Sequence, residues 1–191
     1  AAIRNPVERS KWLSELKNPS LAKQLNLLWI SYDAVARQVH LAKCQISSMG
    51  RKHEMIKLWR QLPGIGLIRA TTLFAFLDTP WRFRKKSRLW KYCGVGLVRK
   101  TSGTDKYGRP KPAYLKLAWA VNRTLKCAIM GAVISAINRN DNVFKEYYQR
   151  SVANGVIPSN ARHAVARKML SVMWGMWKNN GRFDERLVCC Q

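Results

Sequence analysis

Leu58-Trp59-Arg60-Gln61-Leu62-Pro63-Gly64-Ile65-Gly66-Leu67-Ile68-Arg69-Ala70 carries an apolar helical pattern that is broken once and resumes at once. Before the break, Lys52 to Gln61 reads as a helix with Met55, Ile56, Trp59 and Leu62 on one side. Pro63 and two glycines interrupt it, because proline removes a backbone donor and glycine admits turn conformations closed to other residues. Leu67 to Leu77 then has helical spacing again and stops at Asp78-Thr79-Pro80. The segment is therefore expected to be two helices joined by a tight Gly-Ile-Gly hairpin.

Downstream, after the basic run Arg82 to Lys86, Ser87 is placed to cap a short helix ending near Cys93. Gly94 to Pro112 is rich in Gly, Lys, Arg, Ser and Thr and keeps no apolar period after Val98, which reads as one long loop; a short hairpin within Val98 to Lys111 is also compatible. Ala113 to about Asn138 is read as helix from the stripe Leu117, Val121, Leu125, Ala128, Ala132 and Ala136. Val143 to Asn154, closed by Gly155, is another helix, and Pro158-Ser159-Asn160 opens a last long one, Ala161 to Asn179, ended by Gly181.

Upstream, Trp12, Leu13 and Leu16 mark a short helix, and Pro19-Ser20 starts a longer one with Ser20 as its cap. Its apolar positions Leu21, Leu25, Leu28, Tyr32, Val35, Val39, Ala42, Ile46 and Met49 alternate steps of four and three, and Gly50 stands where a C-cap belongs. That repeat is the seam of a coiled coil, with an ordinary amphipathic helix packed inside its own domain as the other reading. The fold expected is mainly α. A long coiled-coil helix for dimerisation (residues 1–57) leads into a compact all-α domain (58–191) with a helix-hairpin-helix motif and one long functional loop.

The chain has 191 residues with 35 Lys and Arg against 10 Asp and Glu, a formal charge of +25. Such an excess repels itself unless a polyanion neutralises it, and nucleic acid releases counterions when it does so. Disorder is not implied, since 47% of residues are hydrophobic and eight are Trp. No apolar run reaches the roughly 18 residues of a membrane span, so no membrane partner is expected. The start at Ala1 shows neither Met nor a signal region and looks like a cut inside a longer protein. Cys44, Cys93, Cys127, Cys189 and Cys190 contain no C-x-x-C pair, which fits a reducing compartment, and His40, His53 and His163 stand singly. The ten carboxylates are dispersed, which argues against a self-contained metal nuclease, and no metal site is expected in this chain.

Leu62-Pro63-Gly64-Ile65-Gly66 resembles the helix-hairpin-helix DNA-binding turn, in which backbone N–H groups and a helix N-terminus face a phosphate. On that reading Gly64 and Gly66 let the anion approach, Ile65 buries to fix the turn, and Arg69 adds charge; a plain interhelical turn is the competing reading. Cys93-Gly94-Val95-Gly96 repeats the Gly-apolar-Gly pattern. Arg82, Arg84, Lys85, Lys86, Arg88 and Lys91 interleave with Trp81, Phe83, Trp90 and Tyr92, so cations would hold phosphates while the rings serve as core or cation-stacking partners. A merely solvated charged face is the alternative. Arg99, Lys100, Lys106, Arg109 and Lys111 extend the positive surface along the loop.

Five motifs in order, Leu-Pro-Gly-Ile-Gly at 62–66, Trp-Arg-Phe-Arg at 81–84, Tyr-Cys-Gly-Val-Gly-Leu-Val at 92–98, Ser102-Gly103 and Ala-Val-Ala-Arg-Lys-Met-Leu at 164–170, give the chain a family likeness. It resembles the C-terminal domain of the DEDD-type, Piv-like transposases of bacterial insertion sequences, which are bridge-RNA-guided DNA recombinases. The resemblance runs from about Leu58 to Leu187, and that family also has a coiled coil between its two domains. It implies that Ser102 is the nucleophile that attacks a DNA phosphodiester and becomes a phosphoserine. It further implies DNA and a structured guide RNA as partners, a homodimer or higher oligomer, and a cytoplasmic, DNA-associated location. The family's N-terminal RuvC-like domain, whose four carboxylates bind Mg²⁺, is absent from this chain, so a composite active site and an inactive fragment are implied. Where family members carry Lys-x-Gly-Asn, this chain reads Lys111-Pro112-Ala113-Tyr114. A helix-hairpin-helix module that grips DNA or RNA without chemistry is the alternative function, and a coiled-coil scaffold a third.

Overall fold

The computed structural model describes residues 5–100, 103–104, 106–109, 114–139 and 141–189. It is mainly helical, in two compact units, Ala1–Ile46 and Ser47–Gln191.

In the first unit, α1 (Pro6–Glu15) is capped by the Asn5 side chain, which accepts from the Val7 N–H. The long helix α2 (Pro19–Lys52) extends beyond this unit. Its cap is Asn18, whose side chain accepts from the N–H groups of Ser20 and Leu21 at 3.0 and 3.3 Å. The cap therefore lies two residues before Ser20, because Pro19 has a φ suited to the first helical position and fixes the residue ahead of it as the boundary. Arg9 of α1 is buried, with its guanidinium 2.8 Å from both Asp33 carboxylate oxygens and stacked over Trp29 and Tyr32. Tyr32 is thus engaged within the unit, whereas Leu28, Val35 and Val39 of the same seam are exposed.

The second unit starts with the end of α2. Gly50 does not cap it; the helix runs through to Lys52 and Gly50 is buried, with an added Cβ only 3.1 Å from the Leu67 side chain. His53 is extended, which confines the next helix, α3, to Glu54–Trp59. α4 (Leu67–Leu77) has the expected bounds, and a 3-10 turn, Pro80–Arg82, follows with Thr79 as its cap. α5 (Lys86–Tyr92) is entered through an extended Lys85, so Ser87 lies inside the helix rather than at its cap.

Leu97–Lys100 (β1) and Tyr114–Leu117 (β2) pair antiparallel, with Leu97 opposite Leu117 and Lys100 opposite Tyr114. This two-stranded sheet sits within an otherwise helical unit and corrects the helix begun at Ala113. Tyr114-Leu115-Lys116-Leu117 gains ladder hydrogen bonds from β1, and α6 (Arg123–Ile137) starts only where the Asn122 side chain accepts from the Leu125 N–H. The stripe from Leu125 onward is real, while Leu117 lay in phase with it by coincidence. The strands also lie wider than a hairpin within Val98 to Lys111. α7 (Val143–Ala153), α8 (Pro158–Asn179) and the short α9 (Arg186–Cys189) complete the unit. α8 ends on Asn180 in the left-handed region, one residue before the expected Gly181.

The core lies between α4, α6, α7 and α8, where Leu73, Leu125, Ile129, Phe144, Met169, Leu170 and Met173 are fully enclosed. Trp59 of α3 is buried beside them, donating its indole N–H to the Met173 carbonyl at 3.1 Å and meeting Trp177 edge to face. Asn142 joins α6 to α7. Its side-chain oxygen accepts from Phe144 and Lys145, and its amide donates to the Ala136 carbonyl at 2.8 Å. Asn142→Ala is expected to lower stability by about 2 kcal/mol, a cap plus one hydrogen bond, measurable as a shift in the urea midpoint at unchanged slope.

Candidate nucleic-acid interface

The Gly64-Ile65-Gly66 turn divides its residues between packing and surface. Ile65 is buried as expected. Gly64 has φ +82°, and a Cβ there would sit 2.1 Å from the Ala132 carbonyl oxygen, so this glycine is what lets the turn lie against the α6 backbone. Arg69 donates to both the Gly64 carbonyl and the Ser135 hydroxyl at 2.8 Å. Where the sequence assigned Gly64 and Arg69 to a phosphate, the fold engages both in fastening turn to helix. Gly66 differs: it is exposed at the start of α4, and an added Cβ would meet nothing within 4 Å.

The second Gly-apolar-Gly turn is also built for packing. Val95 is buried, and Gly96 approaches Lys91 so closely that a Cβ would lie 2.6 Å from its backbone nitrogen. Arg167 of α8 donates to the Val95 carbonyl at 3.1 Å. Its half-burial lowers its pKa from the ordinary arginine value. Cys93 is enclosed in the same turn, and burial pushes its thiol up to about 12, which leaves it unreactive at neutral pH.

Between these turns runs the basic segment. Phe83 and Leu89 are buried and hold it to the core, so Arg82, Arg84, Lys85, Lys86, Arg88 and Lys91 are left on the surface. The Arg82 guanidinium lies 4.6 Å from the Tyr92 ring centroid. The ion pairs among the described residues, Arg9–Asp33, Asp141–Lys145 and Asp184–Arg186, involve none of these cations. Six positive side chains are therefore held on a fixed scaffold with no neutralising carboxylate bonded to them. Trp90 and Tyr92 pack at the core edge, in keeping with their expected part as rings of the interior. Trp81 is 71% exposed and forms one side of a cation-π sandwich in which the Lys178 ammonium lies 5.0 Å from its ring and 3.8 Å from that of Trp174. Lys178 escaped sequence reasoning because it is distant in the chain and sits on a helix read only for its apolar stripe.

Arg99 on β1 and Lys106 and Arg109 beyond it are exposed. Ser102 and Lys111, and the side chain of Lys100, lie outside the described residues. The hairpin region also exposes Tyr107, Tyr114 and, at 86%, Trp119. None of these three was singled out in the sequence, although an aromatic in a polar segment without apolar periodicity was a usable signal. Among the described residues no three His, Cys, Asp or Glu side chains are grouped to hold a metal ion. Among the described residues no helix is long and apolar enough to cross a membrane.

Comparison with known proteins bears on the same region. Residues 56–149 match the family model of the IS116/IS110/IS902 transposases. The chain is 27% identical over 169 residues to an uncharacterized 43.6 kDa protein of insertion element IS110 from Streptomyces coelicolor, covering 88% of this chain and 38% of that relative. It is 22% identical over 141 residues to an uncharacterized 44.8 kDa protein of insertion element IS116 from Streptomyces clavuligerus, covering 73% of this chain and 33% of that one. The chain thus spans little more than a third of the curated relatives it matches. The segment containing the first glycine turn, the basic run, the hairpin and α6 relates this chain to the IS110-type insertion-sequence transposases.

Proposed function

We propose that this chain is the C-terminal, serine-bearing part of an insertion-sequence DNA recombinase, and that its basic segment and hairpin hold DNA while Ser102 supplies the nucleophile. The observation that carries the reading is the fixed, carboxylate-free array Arg82, Arg84, Lys85, Lys86, Arg88 and Lys91 within the stretch matched to the transposase family. Cations on a rigid scaffold position a duplex through its phosphates without reading bases, leaving choice of sequence to a guide RNA.

The chemistry is a phosphoryl transfer. The Ser102 oxygen attacks phosphorus, the bond from phosphorus to one strand oxygen breaks, and the serine proton ends on that departing oxygen. A phosphoserine diester and a free strand hydroxyl result, so the phosphodiester's energy is kept for rejoining. Arg99, Lys100, Lys106, Arg109 and Lys111, near Ser102 in sequence, stabilise the charge that builds on the phosphoryl oxygens. On this reading the family's carboxylate domain completes the active site. Pairing of two copies through the α2 seam is supported by the exposure of Leu28, Val35 and Val39.

Binding is tested with Arg84→Ala, Lys85→Ala and Lys86→Ala combined, against duplex DNA at several salt concentrations. Loss of three phosphate contacts should lower affinity equally for unrelated sequences and flatten the slope of log K against log salt by about 2.7. An unchanged slope would remove the segment from the interface.

A further inference from the structure

A cleft of about 290 Å³ opens between the base of the hairpin and α8, lined by Leu97, Leu115, Leu117, Asn160, His163 and Arg167, with Lys116 at its edge. Its two walls differ in chemistry. One is a leucine surface from β1 and β2, with Leu115 64% exposed. The other is polar, because positions 160, 163 and 167 fall on one face of α8.

Arg167 is the unusual member. Its guanidinium has five N–H donors, yet its described bonding is a single donation to the Val95 carbonyl, and no carboxylate pairs with it among the described residues. A half-buried cation without a counter-ion, beside a cleft with room for roughly ten waters, is a seat for an anion. His163 donates its Nδ1 proton to the Ser159 carbonyl at 2.8 Å, which leaves Nε2 as an acceptor in the neutral ring. Asn160, exposed in the first turn of α8, offers both a donor and an acceptor.

Anion seat, apolar wall and paired donor–acceptor groups together match one nucleotide unit. We infer that this cleft seats a single unstacked nucleotide of the bound strand, its phosphate on Arg167, its base face on Leu115 and Leu117, and its base edge on Asn160 and His163. The inference rests on the nucleic-acid reading above and adds to it a subsite for unpaired strand, separate from the basic segment that would grip duplex.

The test uses 12-nucleotide DNA and RNA oligonucleotides carrying a single 2-aminopurine, as free strands and as duplexes, with binding followed by anisotropy and base environment by 2-aminopurine fluorescence. The expected result is a saturable change in 2-aminopurine emission for the free strand. Leu115→Asp and Asn160→Ala should abolish that change, Arg167→Gln should weaken single-strand binding about tenfold or more, and Asn160→Ala should leave duplex affinity at the unsubstituted level. Leu115 and Asn160 are exposed, so their substitutions test the cleft even if Arg167→Gln loosens the fold. A response with DNA, with RNA or with both supports the subsite and identifies which strand fills it. Single-strand binding and emission unaltered by Leu115→Asp and Asn160→Ala would overturn the cleft assignment alone. Failure of the unsubstituted protein to bind any oligonucleotide would overturn the nucleic-acid reading with it.

Discussion

Ser102→Ala in the intact recombinase is expected to abolish the covalent protein–DNA adduct and lower strand exchange by roughly 10⁴-fold or more, with DNA affinity kept. In the proposed mechanism the hydroxyl oxygen is the atom that bonds to phosphorus, and alanine has no substitute for it. On the same proposal binding should survive, because Ser102 brings no charge and attraction for the duplex is assigned to the basic segment and the loop cations. A non-catalytic helix-hairpin-helix module predicts the opposite pattern: the alanine variant would behave as the unsubstituted protein in every assay. Gel-resolved adduct formation, measured beside anisotropy on the same preparation, separates the two readings in one experiment.

Gly64→Ala is expected to cost about 3–5 kcal/mol and lower Tm by roughly 10–20 °C. Two penalties combine at this position. The φ of +82° belongs to the region that L side chains avoid, and the new methyl would stand 2.1 Å from the Ala132 carbonyl oxygen, a backbone atom that cannot swing away. Relief requires the 62–66 turn to lift from α6, which would also pull the Gly64 carbonyl from Arg69. Gly66→Ala is the matched control. With open space around its Cβ position, it should melt near the unsubstituted protein. If the two glycines were equivalent phosphate-binding positions, both substitutions would reduce DNA affinity and neither would unfold the chain; equal Tm values would therefore contradict the packing role given to Gly64.

What could be read from the residues follows their physics. α4, α7 and α8 were legible because their apolar spacing is bounded by strong breakers, Gly66 and Asp78, Asn142 and Gly155, Pro158 and the Asn180-Gly181 pair. The basic segment was legible because its charge is local in sequence. β2 was not, since Tyr114 to Leu117 alternates too briefly to outweigh a helical stripe, and its partner lies across the long connection. Gly64 and Arg69 show the same limit in the site: a Gly-apolar-Gly turn has one local pattern whether or not its glycines pack on another helix, and the contacts with Ala132 and Ser135, far on in the sequence, were not readable from it. The Arg167 cleft was hidden for the same reason. Ser102 belongs to a different category. Nothing in its local residues sets it apart from a turn serine, and its role came from family likeness alone.

The central claim is a bond between Ser102 and DNA phosphorus, and it is tested most directly by mass spectrometry of the trapped protein–DNA complex. After nuclease and trypsin digestion, the peptide Thr101-Ser102-Gly103-Thr104-Asp105-Lys106 should carry a nucleotide remnant, with fragmentation assigning it to Ser102. An adduct on any other residue, or strand exchange that proceeds with this peptide unmodified throughout, would contradict the account.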